Sequence, residues 1–179
     1  MTVSNERSVA IAGAGPVGLA VAALLLADKG SDKWRIRILE PRPLPAWDPE
    51  QMDQRVYALS RASQRILDHL GVWSEIVAAR ASPYRRMHVW EGGYADRLGS
   101  LSFDSAELGE PDLGNIVEDR LIRERLFGLF AASANVELHI GAKLAAVRTG
   151  TRAVEIDTED GETFHASLLI AADGGNSAV

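Results

Sequence analysis

A charge-free stretch from Val9 to Ala27 reads VAIAGAGPVGLAVAALLLA, and Gly13, Gly15 and Gly18 punctuate it. The short apolar run Val9–Ala12 leads into a G-x-G-x-x-G spacing, and a longer apolar run follows. This order predicts strand, tight turn and helix, the opening of a nucleotide-binding βαβ unit. Each glycine has its own physical task there. Gly13 permits the tight turn, Gly15 lets backbone approach a pyrophosphate, and Gly18 lets helix pack close against strand. The helix N-terminus then offers N–H groups and a partial positive charge to the phosphates.

The segment Arg35–Leu39 reads as a second strand and ends in Glu40, 22 residues after Gly18. An acid at that distance hydrogen-bonds the adenosine ribose in such units. It also repels a 2′-phosphate, which argues against NADP in this site. A secretory signal or membrane span would be the competing use of so apolar a run. Gly13, Gly15 and Pro16 cut it, and the helical remainder Val17–Ala27 falls short of the roughly 20 residues that span a bilayer.

The 179 residues suit one domain with a core of its own. A net charge of −6 offers no basic field for nucleic acid. The chain has no cysteine, hence no disulfide, thiol nucleophile or cysteine-bound metal. His69, His88, His139 and His165 stand at no ligand spacing, so no metal site is expected, and a G-x-S-x-G elbow is missing.

Prolines at 41, 43, 45 and 49 predict an extended loop. Ser60 is placed to cap a helix through Leu70, with Ile66, Leu67 and Leu70 inward and Gly71 past its end. Trp73, Ile76 and Val77 suggest another short helix. Met87–Glu91 and Leu98–Phe103 read as two strands joined through Gly92 and Gly93, and they interrupt the α/β pattern as an inserted antiparallel sheet would. Glu118–Ala134 reads as helix, with Ile122, Leu126, Leu129, Phe130 and Ser133 as its inward stripe. Strands are expected at Val136–Ile140, Leu144–Arg148, Ala153–Thr158 and Thr163–Ala166, with Asp160 and Gly161 as a hairpin turn. Leu168–Ala172 is apolar without alternation, like a parallel strand covered on both faces. Asp173 follows it, where residues past strand C-termini face a ligand crevice.

Four segments together resemble the FAD-dependent aromatic-ring monooxygenases of the para-hydroxybenzoate hydroxylase type, and most closely the ubiquinone-biosynthesis hydroxylases. They are GAGPVGLAVAALL with ILEPRP, DQRVYALSRASQRILDHLGVW, SPYRRMHVWE with GNIVEDRLIRERL, and LLIAADGGNSAV. The resemblance implies a Rossmann-like α/β FAD-binding fold, with a parallel sheet, a β-meander and part of an inserted antiparallel substrate-domain sheet. On this reading residues 1–179 are an FAD-binding domain incomplete at its C-terminus, and 84–115 begin the inserted strands. In the family a further Gly-Asp motif and most of the substrate domain lie downstream, so the chain reads as an N-terminal portion, inactive or weakly active alone.

The resemblance also assigns residues. Gly13, Gly15 and Gly18 match the pyrophosphate loop, Glu40 the ribose acid, and Arg42 lies near the adenosine end. Arg55 matches an arginine that lies against FAD, where a planar guanidinium suits phosphate oxygens. Asp119 falls where relatives often carry Asn or Gln near the flavin, and an ionised acid cannot donate as they do. Asp173 and Gly174 match an Asp-Gly motif associated with FAD and with nicotinamide use. The implied reaction is NAD(P)H- and O2-dependent hydroxylation of a prenylated phenol. No catalytic side chain is assigned. Implied surroundings are the cytoplasm, with peripheral attachment at the inner membrane or to a biosynthetic complex. Two other classes account for the glycines and Glu40: an NAD-dependent dehydrogenase, or a non-catalytic remnant serving as scaffold.

Overall fold

A computed structural model describes residues 7–28, 34–90, 99–175 and 177–179. Its contacts divide the chain into two compact units, Met1–Trp47 with Ile122–Val179, and Asp48–Leu121.

The first unit is built on a parallel sheet of four described strands. They are β1 (Arg7–Ala12), β2 (Trp34–Glu40), β8 (Val136–Ile140) and β12 (Leu168–Ala171), in the spatial order β12-β1-β2-β8. β1 and β2 are central, and their apolar side chains are buried on both faces, as expected of parallel strands covered on either side. Helix α1 (Pro16–Ala27) covers one face. The alternation of side chains puts Val9, Ile11, Ile36 and Ile38 on that side, in register with one another. Ala10 and Leu39 point the other way. There they form a cluster with Ala142 and with Ile156 and Ala166 of an antiparallel meander that follows it. The meander is β9 (Leu144–Thr149), β10 (Val154–Thr158) and β11 (Thr163–Ala166), ordered β11-β10-β9. Gly161 turns the β10–β11 hairpin at φ +89°, a conformation glycine adopts without steric cost.

The second unit holds the antiparallel sheet β3-β7-β4, formed by Val56–Ser60, Gly114–Glu118 and Ser82–Tyr84. It also holds α2 (Arg61–His69) and α3 (Trp73–Arg80). Ser60 caps α2 as expected, accepting from the Ser63 amide, and Gly71 follows at φ +79°. A two-stranded ribbon, β5 (Arg86–Trp90) with β6 (Ser100–Asp104), leads to a 3-10 turn at Ser105–Leu108. The expected strand ends at Glu91 and Leu98, and the Gly92-Gly93 connection, lie outside the described residues.

Three expectations from the sequence need correction. The helix expected over Glu118–Ala134 is α4, Asp119–Gly128. Glu118 belongs to β7, which is held extended by β3 on one side and β4 on the other. At the far end Leu129 and Phe130 bond the carbonyls three residues back, so the helix tightens and stops. Ile122, Leu126 and Phe130 are buried as expected. In α2, Gln64 and Leu67 face inward while Ile66 is exposed. β12 is an edge strand of the described sheet, and Leu168 is half exposed rather than covered on both faces.

Candidate functional site

The C-terminal ends of β1, β2 and β12 bring the glycine loop, Glu40 and Asp173 together within the first unit. The loop starts where the Gly13 amide donates to the Leu39 carbonyl at 2.8 Å. Gly13 sits at φ +100°, and a Cβ there would lie 2.4 Å from the Ala172 carbonyl oxygen. A Cβ at Gly18 would lie 2.0 Å from the Gly13 carbonyl oxygen. Real Cβ atoms do not approach so closely, so the chain itself demands both glycines. Gly15 is different. Its φ is −72° and, its chain neighbours apart, no described residue has an atom within 4 Å of a Cβ built there. The space its missing side chain leaves open is available to a ligand. α1 begins directly after it with Pro16 and has no side-chain cap and no acid in its first turn. First-turn N–H groups have no intrahelical partner, so this end of α1 presents donors and positive charge.

Glu40 is 6% exposed and tied to the loop. Its Oε2 accepts from the Ala14 amide at 2.9 Å, and its Oε1 from the Arg42 amide at 3.1 Å. The Arg42 guanidinium stands 3.7 Å from the same Oε1 with its side chain 76% exposed. A carboxylate offers about four lone-pair sites, so acceptor capacity remains for a ribose hydroxyl. The clamp between Glu40 and Ala14 is a role that the acid's spacing in sequence did not reveal.

Asp173 follows β12, where the Ala172 amide donates to the Ala12 carbonyl at 2.8 Å. Its Cα would lie 3.0 Å from a Cβ on Gly13, so the two loops are in contact. Asp173 Oδ2 accepts from the Ala178 amide at 2.7 Å. Oδ1 is buried and has no hydrogen-bond partner among the described residues. Burial pushes this carboxyl up, but hydrogen bonds from the Ser177 hydroxyl and the Ala178 amide outweigh it and hold the pKa below the ordinary range. Asp173 is therefore an anion at neutral pH with one oxygen in need of a donor. Gly174, at φ +91°, turns the chain away with open space around it.

Arg55 and Asp119 lie in the second unit, where the structure brings them together. The Asp119 amide donates to the Arg55 carbonyl at 2.9 Å. On one face with them lies Tyr57, which the sequence reading did not single out. The Arg55 guanidinium carbon stands 5.5 Å from the centroid of its ring. Burial, then the Asp119 carboxylate, push the Tyr57 hydroxyl above the usual tyrosine range, against the opposing pull of Arg55. Behind them Asp53 joins the start of α4 to β3: its Oδ2 accepts from the Arg120 amide at 3.2 Å and its Oδ1 from the Arg55 amide at 3.1 Å. Glu118, 3% exposed, accepts from the Asp53 amide at 2.9 Å and pairs with Arg80 at 2.7 Å. Among the described residues no cluster could hold a metal ion, and no helix is long and apolar enough to cross a membrane.

A family model described as the FAD binding domain matches residues 6–179. The chain belongs to that family. As a member of the FAD-binding family it is 39% identical over 176 residues to the 3-demethoxyubiquinol 3-hydroxylase of Escherichia coli, covering 98% of this chain and 43% of that protein. It is 34% identical over 182 residues to the ubiquinone biosynthesis monooxygenase COQ6 of Xenopus tropicalis, covering 96% of this chain and 38% of that one. It thus spans about two fifths of the length of these relatives. Among solved structures, p-nitrophenol 4-monooxygenase PnpA from Pseudomonas putida shares the fold at a TM-score of 0.68 and 21% identity, covering 97% of this chain and 42% of that one. The site fits the family's cofactor on its own geometry. Gly15 leaves a cradle that a Cβ would fill, and Asp173 Oδ1 is a buried acceptor without a donor among the described residues.

Proposed function

We propose that this chain is the FAD-binding part of a flavin-dependent monooxygenase that hydroxylates a prenylated phenolic ring in ubiquinone biosynthesis. The observation that carries the cofactor assignment is the open backbone at Gly15, flanked by the Glu40 and Asp173 carboxylates at the ends of three parallel strands. The ring chemistry is carried over from the hydroxylase relatives. NAD(P)H is the proposed reductant and O2 the oxidant. When bound, FAD supplies the redox and oxygen chemistry that side chains lack. The chain's own residues bind and orient it. The loop amides and the N-terminus of α1 face the pyrophosphate. Glu40 takes a ribose hydroxyl while holding Ala14, with Arg42 at the adenosine end. Asp173 Oδ1 accepts a hydrogen bond from a hydroxyl of the cofactor, and Gly174 lets the chain turn away. In the second unit the Arg55 guanidinium stands over the Tyr57 ring.

The ribbon β5–β6 is assigned, with the segment 84–115, to the start of an inserted substrate-binding sheet. A prenylated substrate, which resides in lipid, supports peripheral attachment to the membrane or to a biosynthetic complex, and the proposed setting is the cytoplasm.

Titration of the purified chain with FAD, read by quenching of flavin fluorescence, tests the cofactor assignment. Saturable binding that NAD does not displace is the expected result. Preference for NAD would favour a dehydrogenase, and binding of neither a scaffold. Within this assay Gly15→Ala separates ligand from fold. Stability should hold within about 0.5 kcal/mol, since the new methyl meets no described residue beyond its chain neighbours. FAD affinity should fall about ten-fold or more, because the methyl occupies the approach to the pyrophosphate.

A further inference from the structure

Arg61, Gln64, Arg65 and Asp68 recur at i, i+3, i+4 and i+7 along α2, so they share one face of that helix. Gly71 turns the chain at φ +79°, and the Val72 amide donates to the Leu67 carbonyl at 3.0 Å. This turn sets Trp73, at the start of α3, beside the same face. The five side chains line one cleft of about 190 Å³, and all of them belong to the second unit. Gln64 is 9% exposed, and its Nε2 is buried with no hydrogen-bond partner among the described residues. Arg61 Nε is buried and unpartnered in the same sense. The rest of that guanidinium is held. Nη1 donates to Asp112 Oδ1 at 3.1 Å, and Nη2 stands 3.2 Å from Glu110 Oε2. Two carboxylates thus fix the plane of the guanidinium and leave its Nε–H unspent.

We propose that this cleft binds a small oxyanion, a carboxylate or phosphate group that accepts hydrogen bonds from Arg61 Nε and Gln64 Nε2 and is drawn in by the charge of Arg65. A buried N–H without an acceptor costs the desolvation of the group, and here two such donors line one cleft. An oxygen that accepts from both recovers this cost. A charged oxygen recovers more than a neutral one, because hydrogen bonds to ionised groups are about twice as strong. The charges of the lining agree in sign. Arg61 and Arg65 face Asp68 alone, while Glu110 and Asp112 take the Nη edge of Arg61 and leave its Nε to the ligand. Asp68 opposes the anion, but it is exposed and water screens it. Half-buried Trp73 supplies an apolar wall that limits competition from water. Because Arg61 and Gln64 are held before the ligand arrives, little side-chain freedom is lost on binding.

Heteronuclear NMR of the 179-residue chain reads both donors directly, because the Gln64 NH2 and Arg61 Nε–H groups give signals of their own. Titration with sodium acetate and with sodium phosphate, at constant ionic strength, should move the two signals together and saturate. Methylammonium chloride should move neither. Tighter binding of acetate assigns the site to a carboxylate ligand and tighter binding of phosphate to a phosphate ester, and either supports the proposal. Gln64→Leu should weaken binding about ten-fold, the scale of one charge-assisted hydrogen bond. Two exposed positions probe the charge with little risk to the fold. Arg65→Gln should weaken binding about three-fold and flatten its salt dependence, and Asp68→Asn should tighten it about three-fold by removing a like charge. Shifts that grow without saturation, or equal binding in Gln64→Leu and the unsubstituted chain, identify an adventitious ion only and overturn the proposal. A saturable response to methylammonium in place of the oxyanions overturns it too, since Gln64 would then turn its oxygen to the cleft. Should Gln64→Leu fail to fold, Asp68→Asn decides, and oxyanion binding no tighter than in the unsubstituted chain overturns the proposal.

Discussion

Gly18→Ala should destabilise the chain by about 2–4 kcal/mol, the range of an overpacked position that cannot relax. The new methyl would lie 2.0 Å from the Gly13 carbonyl oxygen and 3.3 Å from Ile11 Cγ2. Neither neighbour is free to yield. Gly13 is fixed by the hydrogen bond its N–H donates to the Leu39 carbonyl and by contact with the backbone of Ala172 and Asp173. Ile11 is fully buried in a central strand. Relief therefore requires α1 to move off the sheet, which uncovers Val9, Ile11, Ile36 and Ile38. Thermal unfolding followed by circular dichroism should show a midpoint lowered by about 5–15 °C, given the entropy of unfolding of a chain of this size. FAD affinity should fall too, since the helix N-terminus moves with the helix. A midpoint equal to that of the unsubstituted chain would mean that the loop has slack not visible in its geometry. The contrast with Gly15→Ala is the informative part. One alanine strikes the fold and the other only the ligand, although the two glycines are three residues apart in a single motif.

Glu40→Ala should lower both stability and affinity, by about 2–3 kcal/mol and about 100-fold respectively. The substitution removes the acceptor of two backbone amides, Ala14 and Arg42. The Ala14 bond is buried, so that N–H would be left without a partner, and such a loss costs the desolvation of the group as well as the bond. The affinity loss combines a missing ribose acceptor with a loosened glycine loop. Glu40→Gln should fall between the two. Its amide oxygen can still accept from Ala14, but its NH2 then faces the Arg42 amide, donor against donor. Melting curves and FAD titrations of the same three proteins check this. A Glu40→Ala chain that loses affinity at unchanged stability would reduce Glu40 to a ribose ligand and remove its role as a clamp.

How far each feature was legible depends on how local its cause is. The βαβ opening is local. Its strands are named by apolar runs, its turn by glycines, and its helix by length and by Pro16 at the start. The meander was legible for the same reason, through alternation and an Asp-Gly turn. β7 was not. Glu118 looks helical beside the stripe that follows, and only pairing with Val56 of β3 holds it extended. Ile66 looked inward by spacing, yet Gln64 and Leu67 take the buried face. Tyr57 carried no signal at all, because its partner Asp119 is its neighbour only through the register of two strands far apart in sequence.

The sequence by itself determined where the chain must turn, which stretches can be helix or strand, and that a glycine loop followed by an acid-ended strand suits a dinucleotide. These follow from steric limits on each residue and from side-chain periodicities of two and 3.6. Tertiary structure alone decided that Glu40 clamps Ala14, that Asp173 keeps one oxygen without a partner among the described residues, and that Tyr57 lies on one face with Arg55 and Asp119. Each of these is a contact across distant segments. Such contacts are set by sheet register and helix–sheet separation, which depend on packing of the whole unit and are written in no local stretch of residues.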